Sequence, residues 1–115
     1  MRAVWRPKLV ALDIDGTVVD LNGRMPDEVR DAVRRVVEAG VPVVMSTGRS
    51  WISTRSIIDI FGLPHGLHVT SNGAVVSTYP PHHVVHEVTF DPRDVIEKVL
   101  AETDALIAVE EVGVG

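Results

Sequence analysis

Apolar and polar positions alternate along this chain in blocks that predict strands and helices in turn. Leu9-Val10-Ala11-Leu12 is a continuous apolar run closed by Asp13 and Gly16. An apolar run without alternation predicts a strand buried on both faces of a parallel sheet. Pro26 then opens a helix with Asp27 and Glu28 in its first turn, and Val29, Ala32, Val33, Val36 and Val37 recur at helical spacing until Gly40. Val41-Pro42-Val43-Val44-Met45 predicts a second strand running into Ser46-Thr47-Gly48-Arg49. From about Ser50 a second helix buries Thr54, Ile57, Ile58 and Phe61 and stops at Gly62-Leu63-Pro64, and Leu67 to Thr70 supply a third strand.

Strand, helix, strand, helix, strand is the order of an α/β fold, a Rossmann-like parallel sheet with flanking helices. Ligands of such sheets sit beyond the carboxyl ends of the strands. Those ends are Asp13 to Thr17, Ser46 to Arg49 and Ser71 to Gly73. After Gly73 the pattern changes. Ala74 to Tyr79 and Val84 to Phe90 predict a hairpin around Pro80-Pro81-His82-His83. Asp91 as N-cap and Pro92 at the first helical position start a helix with Val95, Ile96, Val99 and Leu100 on one face. Ala105 to Val109 reads as a further strand, so residues 85–115 look like the opening of a second module after a first one of residues 1–84.

Composition changes this picture little. The 115 residues are 45% hydrophobic and 23% charged, which suits globular packing and excludes disorder or a collagen-like repeat. Eleven basic against sixteen acidic residues give a formal charge of -5 with no basic run, so nucleic acid finds no footprint. No apolar stretch approaches the roughly eighteen residues of a membrane span, so no membrane partner is expected. Cysteine is absent, which removes disulfides, thiolate metal sites and a Cys nucleophile and leaves the cytoplasm as the default location.

The candidate chemistry gathers at the strand ends. Asp13 and Asp15 sit at i and i+2, so in extended backbone their carboxylates point the same way and crowd one volume. A divalent cation relieves that repulsion, and Mg²⁺ binds few carboxylates while taking phosphate oxygens as further ligands. One aspartate can then attack phosphorus while the other manages a proton. A plain turn after a strand accounts for Asp15-Gly16 equally well. On a strand His82 and His86 share a face while His83 points away, so a solvated hairpin turn is the expected reading rather than a metal site; His65 and His68 carry no expected role. Trp51 is expected to pack at the start of its helix.

Leu9-Val10-Ala11-Leu12-Asp13-Ile14-Asp15-Gly16-Thr17 resembles the first motif of the haloacid dehalogenase-like hydrolases, and Val43-Val44-Met45-Ser46-Thr47-Gly48-Arg49 resembles their second. Ser71-Asn72-Gly73-Ala74 is similar to the Cof-type branch, whose members insert an α/β cap after this point. The resemblance covers about residues 8 to 76. It implies a Mg²⁺-dependent phosphohydrolase acting on a small phosphorylated metabolite through an aspartyl-phosphate. By the same resemblance Asp13 is the nucleophile and a metal ligand, Asp15 the general acid/base whose carbonyl also meets the metal, and Thr47 the hydroxyl that binds the phosphoryl group. Gly48 lets the backbone approach. Asn72 orients the loop near phosphate or simply makes a turn with Gly73, and Arg49 meets substrate or simply starts the helix.

The resemblance also requires a lysine and a late acidic motif, and neither is recognisable: only Lys8 and Lys98 occur, in unsuitable places, and Asp91 and Asp94 belong to a helix start. The sequence therefore reads as the N-terminal part of such an enzyme, with weak Mg²⁺ binding and little turnover expected of this stretch alone. Unpaired apolar strands also predict self-association. A non-catalytic phosphate-binding or interaction domain on the same scaffold is the principal rival. A glycosyltransferase also uses paired aspartates, but it has no need of Thr47-Gly48-Arg49.

Overall fold

Residues 4–114 are described by the computed structural model. Strand β1 (Val10–Leu12) pairs in parallel with β2 (Val43–Met45), Val10 opposite Val43 and Leu12 opposite Met45. Helix α1 (Asp27–Glu38) connects them, and α2 (Trp51–Phe61) connects β2 to β3 (Gly66–Thr70). A parallel bridge between Ser46 and Val69, in which the Thr47 N–H donates to the Val69 carbonyl at 3.0 Å, joins β3 to β2. The three strands thus end together at one side of the sheet. Strands β4 (Val75–Tyr79) and β5 (His83–Glu87) add an antiparallel hairpin beyond β3, and α3 (Arg93–Glu102) follows.

The core forms where the predicted stripes meet. Thr54, Ile57, Ile58 and Phe61 of α2 are all buried, as their spacing requires, with Val33 of α1 and Val43 and Met45 of β2. Burying each of the larger side chains contributes about 1.5 to 3 kcal/mol. Ser50 caps α2 by accepting from the Ser53 N–H, and Gly62 closes it in the left-handed conformation at φ 63°. A side chain would be strained there. Trp51 is buried, and its ring packs edge-on to Tyr79 with centroids 5.2 Å apart.

Four details of the sequence reading are corrected. Strand β1 is not buried on both faces: Ala11 is exposed and Val10 and Leu12 are half-buried. Among the described residues β2 is its one ladder partner, so the other edge lies open. Ala105 to Val109 forms no strand, because no neighbouring strand offers it a ladder, and an apolar run cannot form one alone. Helix α3 starts at Arg93 with Pro92 as its N-cap, and Asp91 instead accepts from the Arg93 N–H and pairs with its guanidinium. His82 is not solvated: it is half-buried, stacks on Trp51 at 4.1 Å and 8°, and hydrogen-bonds Ser77. Among the described residues no helix is long and apolar enough to cross a membrane.

Candidate functional site

The carboxyl ends of β1, β2 and β3 open on a crevice of about 350 Å³ lined by Asp13, Ser46, Thr47, Gly48, Asn72 and Gly73 beside Val69. Asp13 directly follows β1, where its Oδ1 accepts from the Ile14 N–H at 2.7 Å. Its other carboxylate oxygen has no hydrogen-bond partner among the described residues. Ile14 is buried, and its carbonyl accepts from the N–H groups of Thr17, Val18 and Val19, which winds the chain into a tight turn and leaves Asp13 exposed at the crevice.

Thr47 faces Asp13 across this space from the end of β2. It is only 5% exposed, and its Oγ1 accepts from the Arg49 N–H at 3.1 Å, which leaves the hydroxyl hydrogen free to be donated. The loop after β3 forms the third wall. Ser71, Asn72 and Gly73 take φ values of 52°, 54° and 94°, a run of left-handed residues that only glycine adopts without cost. Two hydrogen bonds hold it: Asn72 N–H to the Thr47 carbonyl at 3.1 Å and Ser71 N–H to the Arg49 carbonyl at 2.8 Å.

Gly48 shows why a side chain is missing at that point. A Cβ there would lie 2.8 Å from Asn72 Oδ1 and 3.3 Å from its Cγ and Nδ2. The Gly48→Ala variant is expected to fold with a loss of about 1 to 2 kcal/mol, because only the Asn72 side chain must move. Displacing it into the crevice is expected to weaken inorganic phosphate binding about tenfold, read by titration calorimetry. Unchanged phosphate affinity would show that Asn72 and Gly48 do not shape the site.

Asp15 departs from the expected pairing. Its carboxylate does not line the crevice with Asp13; it is held by the Arg49 guanidinium, with Nε at 2.8 Å and a second nitrogen at 2.6 Å. This two-point hydrogen bond from Arg49, with the guanidinium charge, keeps the Asp15 carboxyl below the usual carboxylate range. Arg49 therefore does something neither sequence alternative named, since Ser50 caps the helix and Arg49 reaches back across to β1. The ion pair joins positions 34 apart, and no local pattern announces it.

The oxygen donor here is of the kind Mg²⁺ takes: a carboxylate with an unengaged oxygen at a strand end. Among the described residues no three His, Cys, Asp or Glu side chains gather to hold a metal by themselves. No lysine lines the crevice among the described residues. His68 is a buried group that sequence reasoning missed: its Nδ1 accepts from the Met45 N–H at 3.1 Å, and it precedes Val69 of the crevice lining.

A family model described as haloacid dehalogenase-like hydrolase matches residues 10–109. Phosphatase YwpJ of Bacillus subtilis (strain 168) is 33% identical over 86 residues, covering 75% of this chain and 30% of the relative. The 5-amino-6-(5-phospho-D-ribitylamino)uracil phosphatase YcsE of the same organism is 38% identical over 69 residues, 60% of this chain and 27% of its own. The solved structure of a haloacid dehalogenase-like hydrolase from B. subtilis superposes with a TM-score of 0.65 at 29% identity, covering 83% of this chain and 33% of that one. The chain thus spans about a third of the length of the relatives it matches.

Proposed function

The chain belongs to the haloacid dehalogenase-like hydrolases, and from that premise we propose that it carries the nucleophile half of a Mg²⁺-dependent phosphatase acting on small phosphate monoesters. The observation that carries this reading is the shared crevice: Asp13 and Thr47 line one cavity from two parallel strand ends. In the same reading residues 1–84 belong to the catalytic core and 85–115 begin a cap.

An Asp13 carboxylate oxygen attacks phosphorus in line, forming an O–P bond as the ester P–O bond breaks. The Thr47 hydroxyl and the N–H groups of the Gly48 loop hold the phosphoryl oxygens during transfer. Asp15 gives its proton to the leaving oxygen, later takes one from the water that attacks the aspartyl-phosphate, and inorganic phosphate leaves with Asp13 regenerated. Asp13 and the Asp15 carbonyl would hold Mg²⁺, whose charge offsets the repulsion between Asp13 and phosphate.

Arg49 sets a condition on this sequence. While its guanidinium holds Asp15, the charged carboxylate is favoured, which suits the base in the second step but not the acid in the first. An incoming phosphate competes for the guanidinium and so releases Asp15 to be protonated.

Trapping tests the reading. Incubation with Mg²⁺ and acetyl phosphate, then acid quench and peptide mass spectrometry, is expected to find one phosphoryl group on the peptide that holds Asp13. A folded chain that binds phosphate and never acquires the adduct would instead favour the non-catalytic phosphate-binding reading.

A further inference from the structure

The turn after β3 is the wall between two spaces. Asn72 and Gly73 line the phosphate crevice, whereas Ser71 and Ala74 line a second groove of about 490 Å³ on the other side. That groove is walled mainly by apolar side chains, among them Val75, Val88, Phe90, Ile96 and Ile107. Two carboxylates line this groove, Glu110 and Glu111, and Glu110 is the one bound to the turn: the Ser71 hydroxyl donates to its carboxylate. Ser71 is itself fixed to the crevice loop through its N–H bond to the Arg49 carbonyl at 2.8 Å. The Glu110 carboxylate is therefore tethered to Ser71, the residue that precedes Asn72 of the crevice lining.

We infer that Glu110 is a specificity determinant: it selects phosphate esters whose leaving group is uncharged and hydroxylated, and it turns away esters whose leaving group carries a carboxylate. The inference rests on the crevice holding the phosphate. A leaving group that extends past the Asn72-Gly73 wall enters the space lined by the Glu110 carboxylate and the apolar groove. A hydroxyl there donates to the carboxylate oxygen that Ser71 does not occupy. A second carboxylate meets like charge beside low-dielectric walls and has no cation to pair with, since no lysine or arginine lines the groove among the described residues.

Two esters of matched length separate the effect of charge from that of size. They are 2-hydroxyethyl phosphate, ending in a hydroxyl, and phosphoglycolate, ending in a carboxylate. Calorimetric or amide-shift titration of the 115-residue chain with each, and with inorganic phosphate, reads the preference directly. The hydroxyl ester is expected to bind at least about fivefold more tightly. That ratio is expected to fall towards one in Glu110→Gln, which keeps the shape and loses the charge, and in Ser71→Gly, which releases the tether and suits the backbone φ of 52°. A wild-type ratio near one, or a ratio that survives both substitutions, overturns the inference while phosphate binding stands. Failure of inorganic phosphate to bind at all overturns the crevice reading, and this inference with it.

Discussion

Asp13→Asn is expected to abolish phosphoryl transfer to the chain, lowering the trapping rate at least a hundredfold, and yet to tighten phosphate binding when metal is absent. The two effects have different causes. An amide oxygen is a poor nucleophile towards phosphorus, so the covalent step loses its attacking group. The same substitution removes a negative charge from the crevice wall. At a separation of about 4 Å in a watery setting, like-charge repulsion is worth about 1 kcal/mol, so the metal-free dissociation constant for phosphate falls about fivefold. With Mg²⁺ present the order reverses, because wild type gains a charge-neutralising ligand and the variant does not. The fold is expected to survive unchanged. Asp13 is exposed, and an asparagine oxygen can still accept from the Ile14 N–H. The measurements are the rate of adduct formation and calorimetric titration of phosphate with and without Mg²⁺. Undiminished adduct in the variant would place the phosphoryl acceptor elsewhere, and weaker metal-free binding would mean that Asp13 does not face the anion.

What could be read from residues alone divides along a physical line. Strands and helices were legible where one local pattern decides them: the stripe of α2 named its own buried residues, and Gly62 its own end. The crevice was legible because Asp13 and Thr47 close two apolar runs, and strands of a parallel sheet end on the same side. Partners far apart in sequence were not legible. Arg49 reaches Asp15 across 34 positions, the Met45 N–H finds His68 across 23, and His82 finds its stacking partner Trp51 in another element. None of these pairs leaves a period or a spacing. Ala105 to Val109 failed for the complementary reason: its apolar run, with Ile107 and Val109, records a tendency, and a strand needs a neighbour as well.

His68 carries the largest consequence of such a distant pairing, a loss of stability on mild acidification. Burial pushes its imidazole down to about 4, against an ordinary value of 6.5. The geometry supports that direction. Nδ1 accepts from the Met45 N–H at 3.1 Å and cannot also hold a proton, and Nε2 is buried without a hydrogen-bond partner among the described residues. Above about pH 6.5 neither folded nor unfolded chain protonates this ring, and stability is at its plateau. Below that, the unfolded chain takes up a proton that the folded one refuses until about pH 4, so stability falls as pH falls through this window. Between about pH 7 and about pH 4.5 the loss is roughly 2 to 3 kcal/mol, a large part of what a small domain possesses. His82, also lowered by burial and then by Arg55 and His83, adds a smaller slope of the same sign. His68→Gln separates the two, since glutamine can accept from the Met45 N–H but does not titrate. Denaturant unfolding at both pH values is expected to show the acid loss shrinking by about 2 kcal/mol in His68→Gln and only slightly in His82→Gln. Equal acid loss in wild type and His68→Gln would mean that the ring is reached by water or protonated in the folded chain, and the burial of His68 beneath the site would have to be abandoned.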